Sequence, residues 1–368
     1  MVQSYYTLFE VQGIKVNLHI TFIALFALLA LYGALAKGPL YAASIVLFIV
    51  VLFGTVFLHE LSHALVARHE RIRVDSINLL PIGGIASIHA TSMTPKNEFK
   101  MAIAGPLFNI FVCLLIAFLE VFTPLSVPLP PPGAAVGDIF DLFQLYPMYT
   151  LFLVNFTLAA FNLLIPAIPM DGGRVLRALL AMWLGFYRAT LISARLSKIL
   201  AFGLFLWGVS ILSPFLPIIA FFVYMGARSE EESALIENIL SRVPLSRVLE
   251  KKPFKLNSST TVKAALSRMN AENATSVLVV ARDHFRVAQI EDVVEAVKKD
   301  ASRELERASV KAPHVSSKDD CAAAYKQFLA VTYDLLPVSG NGKLEGVVLR
   351  RDLETLYRLR SAEKVLKQ

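Results

Sequence analysis

Long apolar runs separated by short polar stretches fill the first 227 residues, and beyond them short apolar segments alternate with charged ones. Ile20 to Ala36 is apolar and lies between Lys15 and Lys37, after a short amphipathic lead-in. A Gly38-Pro39 turn leads into Leu40 to Ala67, and Met101 to Phe122 and Leu142 to Ile168 follow. Leu191 to Leu212 and Phe215 to Met225 read as a closing hairpin around Ser213-Pro214, with a short second arm. About 20 apolar residues in a helix cross the hydrocarbon core of a bilayer. The pattern therefore predicts about six transmembrane helices.

Residues 72–92, IRVDSINLLPIGGIASIHATS, break this pattern. β-Branched residues flank Pro81, Gly83 and Gly84, which suits a β-hairpin or re-entrant loop rather than a helix. Non-helical backbone at membrane depth persists only against protein or a water-filled cavity. The segment is read as a wall of a site, with a plain hairpin on the membrane surface as the alternative. Val175 to Trp183 reads as a short amphipathic helix at the membrane edge.

Composition agrees with the pattern: 55% of the 368 residues are hydrophobic and the mean hydropathy is +0.58, outside the range of ordinary soluble domains. Residues 1–227 hold 21 charged side chains and residues 228–368 hold 44. This predicts a membrane domain over 1–227, a linker over 228–242 and a soluble part beyond. No Lys or Arg lies between Lys100 and Arg174, so the Pro-rich connector Thr123 to Asp141 is placed outside. The cluster Arg68, Arg71 and Arg73 then marks the cytoplasmic side, where the N-terminus and the soluble part belong. The net charge of +7 is spread among acidic residues with no long basic run, so no nucleic-acid partner is expected. No signal-peptide pattern opens the chain. Cys113 and Cys321 lie in different halves and offer no disulfide framework, which suits a reducing compartment for the soluble part.

The candidate chemistry sits near the end of the second apolar run, in His59-Glu60-Leu61-Ser62-His63. Histidines four apart lie on one helix face and can bind one metal ion; neutral imidazoles suit zinc. Glu60 beside them can take a proton from water activated by the metal. A charged residue within an apolar run costs about 2.5–3.5 kcal/mol on the insertion scale, which favours a functional reason for its presence. A third ligand is needed. The fourth run ends in Pro166-Ala167-Ile168-Pro169-Met170-Asp171-Gly172-Gly173-Arg174, where the prolines break the helix and the glycines free the backbone to turn. Asp171 is the best candidate; His19, His69 and His89 compete, each alone in its surroundings.

From Val243 the pattern repeats. SSTTVKAALSRMN at 258–270 corresponds to SKDDCAAAYKQFL at 317–329, and SVLVV at 276–280 to DLLPV at 334–338. An offset of about 60 residues marks two copies of one module, assigned to 243–300 and 301–368.

Together these residues resemble the site-2 protease family of intramembrane zinc metalloproteases, in the branch with a C-terminal pair of CBS domains. The resemblance covers essentially the whole chain. It rests on Gly13-Ile14-Lys15-Val16 through His19, HELSHA at 59–64, LLPIGGIA at 79–86, AGPLFN at 104–109 and PMDGGRVLRALL at 169–180. It implies a mainly α-helical polytopic membrane domain with a membrane-associated β-hairpin, followed by an α/β CBS domain pair. It implies one Zn2+ held by His59, His63 and Asp171 with water completing the set, and Glu60 as general base. The family asparagine thought to hold the substrate carbonyl matches Asn162, with one residue more, Ile165, before the aspartate than the family spacing. The implied reaction is hydrolysis of a peptide bond in a membrane-spanning protein near the cytoplasmic face of the lipid bilayer.

CBS pairs in other proteins often bind adenine nucleotides, and Asp352 is the residue here that could contact a ribose; Leu349 replaces the usual hydroxyl residue and Arg286 the usual glycine. Homodimerisation through the pair is the other use expected of it. Two further readings compete with the protease: an inactive membrane scaffold, and a transporter with a CBS regulatory tail. A transporter predicts polar groups spread over several spans and no metal triad, whereas here they concentrate at two points that one ion would join.

Overall fold

The computed structural model describes residues 5–81, 83–88, 93–122, 130, 138–281, 285–329, 331–340 and 343–365. His89 and most of the Pro-rich connector lie outside the described residues. The chain divides into two compact units, Met1–Glu231 and Glu232–Gln368.

The first unit opens with strands β1 (Tyr5–Val11) and β2 (Ile14–His19), then helices α1 (Ile20–Lys37) and α2 (Pro39–His69). The hairpin β3 (Val74–Leu80) and β4 (Gly83–Ile88) precedes α3 (Pro95–Phe122), α4 (Ile139–Leu145), α5 (Pro147–Leu164), α6 (Asp171–Leu184), α7 (Phe186–Ser210) and α8 (Phe215–Leu240). Among the described residues five helices, α1, α2, α3, α5 and α7, are long and apolar enough to cross a membrane. The expected sixth is absent from that set because its apolar arm, Phe215 to Met225, is only the first part of α8, which runs on into a charged stretch from Arg228. At 1.5 Å per residue that arm reaches only about half the hydrocarbon thickness. Residues 228–240, expected as a linker, continue the helix.

The fourth apolar run is also divided. Asp138 caps α4, its carboxylate accepting from the N–H groups of Phe140 and Asp141 at 3.0 and 2.9 Å. Pro147, which has no N–H to donate, then begins α5 as a separate helix.

The short lead-in to α1 supplies half of a four-stranded sheet of order β1-β2-β3-β4. β2 and β3 run parallel, with Val16 opposite Ile77 and Leu18 opposite Leu79. A parallel pair needs a long crossover, and the α1–α2 helical hairpin is that crossover. Alternate residues Ile14, Val16, Ile77 and Leu79 face inward and pack with Ala64 and Ala67, just past the histidine motif. Full burial of each large aliphatic side chain contributes about 1.5–3 kcal/mol, and the two alanines let the sheet approach α2 closely. The opposite face carries a polar ladder: Thr7 donates to Asn17 at 2.8 Å, and Asn17 to Asn78 at 2.9 Å.

The second unit contains the sequence repeat as two β-α-β-β-α copies. The first has β5 (Lys255–Asn257), α9 (Val262–Ala271), β6 (Ser276–Val280), β7 (Phe285–Gln289) and α10 (Ile290–Lys299); β8 (Val310–Lys311) joins its sheet beside β7. The second has β9 (Val315–Ser316), α11 (Cys321–Leu329), β10 (Leu335–Gly340), β11 (Lys343–Leu349) and α12 (Arg350–Val365). The copies exchange their leading segments. The N–H of Leu305 donates to Thr260 of the first copy, and that of Leu245 to Asp319 of the second. Ile236, Leu240, Val243 and Leu245 are buried in the core of the second copy.

Candidate metal centre

Two helices, α2 and α6, bring the candidate ligands together. α2 spans 31 residues, about 46 Å at 1.5 Å per residue, so His59 and His63 lie toward one end of its crossing rather than at its middle. Their side chains are buried and turn toward the first residue of α6, Asp171, whose carboxylate also suits the positive end of that helix. Nε2 of His59 lies 3.1 Å from Nε2 of His63, and Oδ2 of Asp171 lies 3.2 and 3.3 Å from the two nitrogens.

Hydrogen bonding on the far side of each ring fixes what faces the centre. Nδ1 of His63 is 2.6 Å from the carbonyl oxygen of Met101. A carbonyl only accepts, so the proton is on Nδ1 and Nε2 presents a lone pair. Nδ1 of His59 is 2.5 Å from Oδ1 of Asn109. Asn109 in turn donates through Nδ2 to Oδ1 of Asn155 at 2.9 Å, and Asn155 donates to the carbonyl of Leu151 at 2.9 Å. Read back from Leu151, this chain leaves Oδ1 of Asn109 as acceptor and gives His59 the same tautomer as His63.

Two imidazole lone pairs and a carboxylate oxygen, none bearing a proton between them, repel at 3.1–3.3 Å unless a cation sits among them. A tetrahedral zinc ion with arms of 2.0–2.1 Å sets its ligand atoms about 3.3 Å apart. The donor set and its spacing therefore fit zinc, and the buried hydrogen bonds behind the imidazoles are those that metal-ligating histidines make.

Glycines set the close approaches. A Cβ on Gly105 of α3 would fall 2.6 Å from Nε2 and 2.7 Å from Cε1 of His59 and also against His63, so only glycine lets α3 cover the imidazoles. A Cβ on Gly84 of β4 would lie 2.5 Å from Cγ of Glu60, which places the edge strand of the sheet directly beside that carboxylate. Gly172 and Gly173 are helical, not turn residues as expected from the sequence. Their role is contact, since a Cβ on Gly172 would strike the carbonyl oxygens of Leu163 and Ile165 at 2.5 and 2.6 Å. Ion pairs anchor α6 further along: Arg177 binds buried Glu98 of α3 and, at 2.6 Å, Glu230 of α8.

The signature of peptidase family M50 matches residues 47–143, a window containing the histidine motif, Gly105 and Asn109. Over 346 residues, 94% of each chain, the sequence is 30% identical to a zinc metalloprotease of Methanocaldococcus jannaschii. The chain belongs to peptidase family M50, the site-2 proteases. This M50 protein is thus a zinc metalloprotease of the intramembrane type, with a multi-pass membrane domain. Among solved structures it is similar to a site-2 protease from Methanocaldococcus jannaschii, with 34% identity, 62% of this chain and 95% of that one covered, and a TM-score of 0.44. Its second unit is similar to the CBS domain of a bacterial CNNM/CorC family Mg2+ transporter, with 18% identity, 35% and 82% coverage and a TM-score of 0.31.

The other candidate histidines fall elsewhere. His19 caps α1, its Nδ1 accepting from the N–H of Thr21 at 3.2 Å, and His69 is exposed at the end of α2. Asn162 is half-buried in the last turn of α5, and its side chain makes no hydrogen bond among the described residues. Asp352 lies in the first turn of α12 in the second unit. Asn155, which the sequence reading passed over, was signalled only by being a buried amide inside an apolar run.

Proposed function

We propose that His59, His63 and Asp171 hold one zinc ion and that Glu60 is the general base in hydrolysis of a peptide bond of a membrane-spanning protein, near the cytoplasmic face. The observation that carries this is the convergence of three buried donor atoms at 3.1–3.3 Å, with Glu60 on the same helix turn. Zinc bound there supplies Lewis acidity toward water and the scissile carbonyl.

The chain's own residues supply the rest. A spanning helix conceals its peptide bonds in internal hydrogen bonds, so a substrate must unwind before it is cut. An unwound segment can add to an exposed strand edge, and β4 is such an edge, with Gly84 against Glu60. Glu60 accepts the proton of the attacking water and returns it to the leaving amine. The uncommitted amide of Asn162 is the donor we assign to the developing oxyanion. The positive-inside distribution of Arg68, Arg71 and Arg73 supports the cytoplasmic placement. The CBS pair is proposed as a regulatory module, in which an adenine nucleotide would use Asp352 for a ribose hydroxyl; self-association through the pair is the alternative use.

Zinc content and cleavage of a membrane-anchored substrate, measured together on wild type, Asp171→Ala and Glu60→Gln, test the reading. Expected are one zinc per chain in wild type, weakened binding in Asp171→Ala, and retained zinc without cleavage in Glu60→Gln. Wild-type protein that neither holds zinc nor cleaves after zinc addition would support the scaffold or transporter instead.

A further inference from the structure

Between α7 and the segment leading to Asp171 lies a cavity of about 460 Å³. Ile165, Ala167 and Met170 form one wall, and Gly203, Leu204 and Trp207 form another. The lining is almost wholly apolar, with the Trp207 indole as its only polar handle. Ile199 and Trp207 stand at its mouth on the outer face of α7, 68% and 58% exposed. In a helix that crosses the bilayer, such an opening faces hydrocarbon.

The size of the cavity decides between occupants. A helix is a cylinder about 10–12 Å across, so a single 5.4 Å turn already takes roughly 420–610 Å³. The cavity therefore has room for about one turn of a helix, while a linear acyl chain can run its length. Charge decides the head group. Arg188 and Arg195 are seven residues apart on one face of α7, both exposed and both without an ion-pair partner among the described residues. Arg195 is one turn from Ile199 at the groove mouth, whereas neighbouring Lys198 is committed to Glu231 at 2.5 Å. A cationic stripe leading into an apolar groove has the complementarity of one amphiphile, an anionic phospholipid.

We propose that this groove binds an acyl chain of an anionic phospholipid whose phosphate lies on Arg195, with Arg188 beside it. The bound chain packs against Ile165, Ala167 and Met170 and so braces the segment that ends at Asp171. The site rests on the bilayer placement of α7 and is independent of the roles given to the metal-centre residues.

The test is native mass spectrometry of the full chain released from bilayers of equal phosphatidylglycerol and phosphatidylcholine, for wild type, Arg195→Gln and Gly203→Leu. Nothing lies within 4 Å of a Cβ built at Gly203, so leucine there can enter the groove without displacing protein. Wild type is expected to retain one phosphatidylglycerol, with a preference over phosphatidylcholine of roughly fivefold per engaged arginine. Arg195→Gln should lose that preference, and Gly203→Leu should lose the retained lipid while keeping its zinc content. Phosphatidylglycerol carrying a photoreactive acyl chain should label peptides containing Met170 or Trp207. Equal retention in Gly203→Leu, no head-group preference in wild type, or crosslinking of a substrate helix at Trp207 in place of lipid would each overturn the proposal. If Gly203→Leu fails to fold, the head-group preference of Arg195→Gln and the labelled peptides still decide it.

Discussion

Asn155 on α5 sets the tautomer of His59 on α2 without touching it. The link is Asn109, whose amide is held by Asn155 so that its oxygen faces Nδ1 of His59 at 2.5 Å. Asn109 and Asn155 are both fully buried, so neither amide has water as a substitute partner.

Asn155→Leu keeps the volume and removes the partner, leaving Asn109 free to turn its NH2 group toward His59. Zinc affinity is expected to fall by about 10–100-fold, the usual effect of losing such a supporting bond. Competition with a chromogenic chelator measures it, and an unchanged affinity would show that Asn109 is held by other contacts.

Gly105→Ala puts a methyl group against the ligating edges of both imidazoles, closer than real Cβ contacts occur. The protein is expected to insert and fold but to lose its metal and its cleavage activity together. Zinc content beside circular dichroism separates this from general unfolding.

Arg177 is the sole ion-pair partner of buried Glu98 among the described residues, and Oε2 of Glu98 has no hydrogen-bond partner there. Arg177→Met leaves a carboxylate uncompensated and is expected to destabilise by about 3–5 kcal/mol. Adding Glu98→Gln should recover most of that loss. Thermal unfolding of the two single variants and the double variant in detergent gives the coupling; additive effects would mean that the pair contributes little.

In the second unit, burial first and Asp320 second push the Cys321 thiol up from 9.0 to about 11. The folded state therefore keeps a proton that the unfolded chain releases. The contribution is complete below pH 9 and declines as pH rises toward 11. Denaturant melts on either side of pH 9 should show the decline in wild type and a flatter alkaline limb in Cys321→Ala. Alkylation of the native thiol should be slow until the unit unfolds.

The zinc motif, the hairpin and the repeat were legible in the sequence because each depends on local spacing: four residues on a helix, alternation around Pro81 and the glycines, an offset of about 60 residues. Contacts made only after assembly were not. The glycines after Asp171 look like turn formers in sequence, yet they are helical and serve close packing against Leu163 and Ile165. Asn162 could be picked out by its place before the aspartate; Asn109, the amide that meets His59, and Asn155, which holds Asn109, come from α3 and α5, 46 residues apart.

The sequence by itself determined the class of chemistry and the membrane setting, since hydropathy, charge and the ligand spacing on one helix are properties of neighbours along the chain. The tertiary structure alone decided which distant groups complete the centre. It brought Asp171 within 3.3 Å of two histidines more than a hundred residues earlier, placed Gly84 against Glu60, and exchanged the leading segments of the two copies in the second unit. Those outcomes depend on backbones approaching without a Cβ between them and on buried donors finding acceptors, which are conditions of packing in three dimensions.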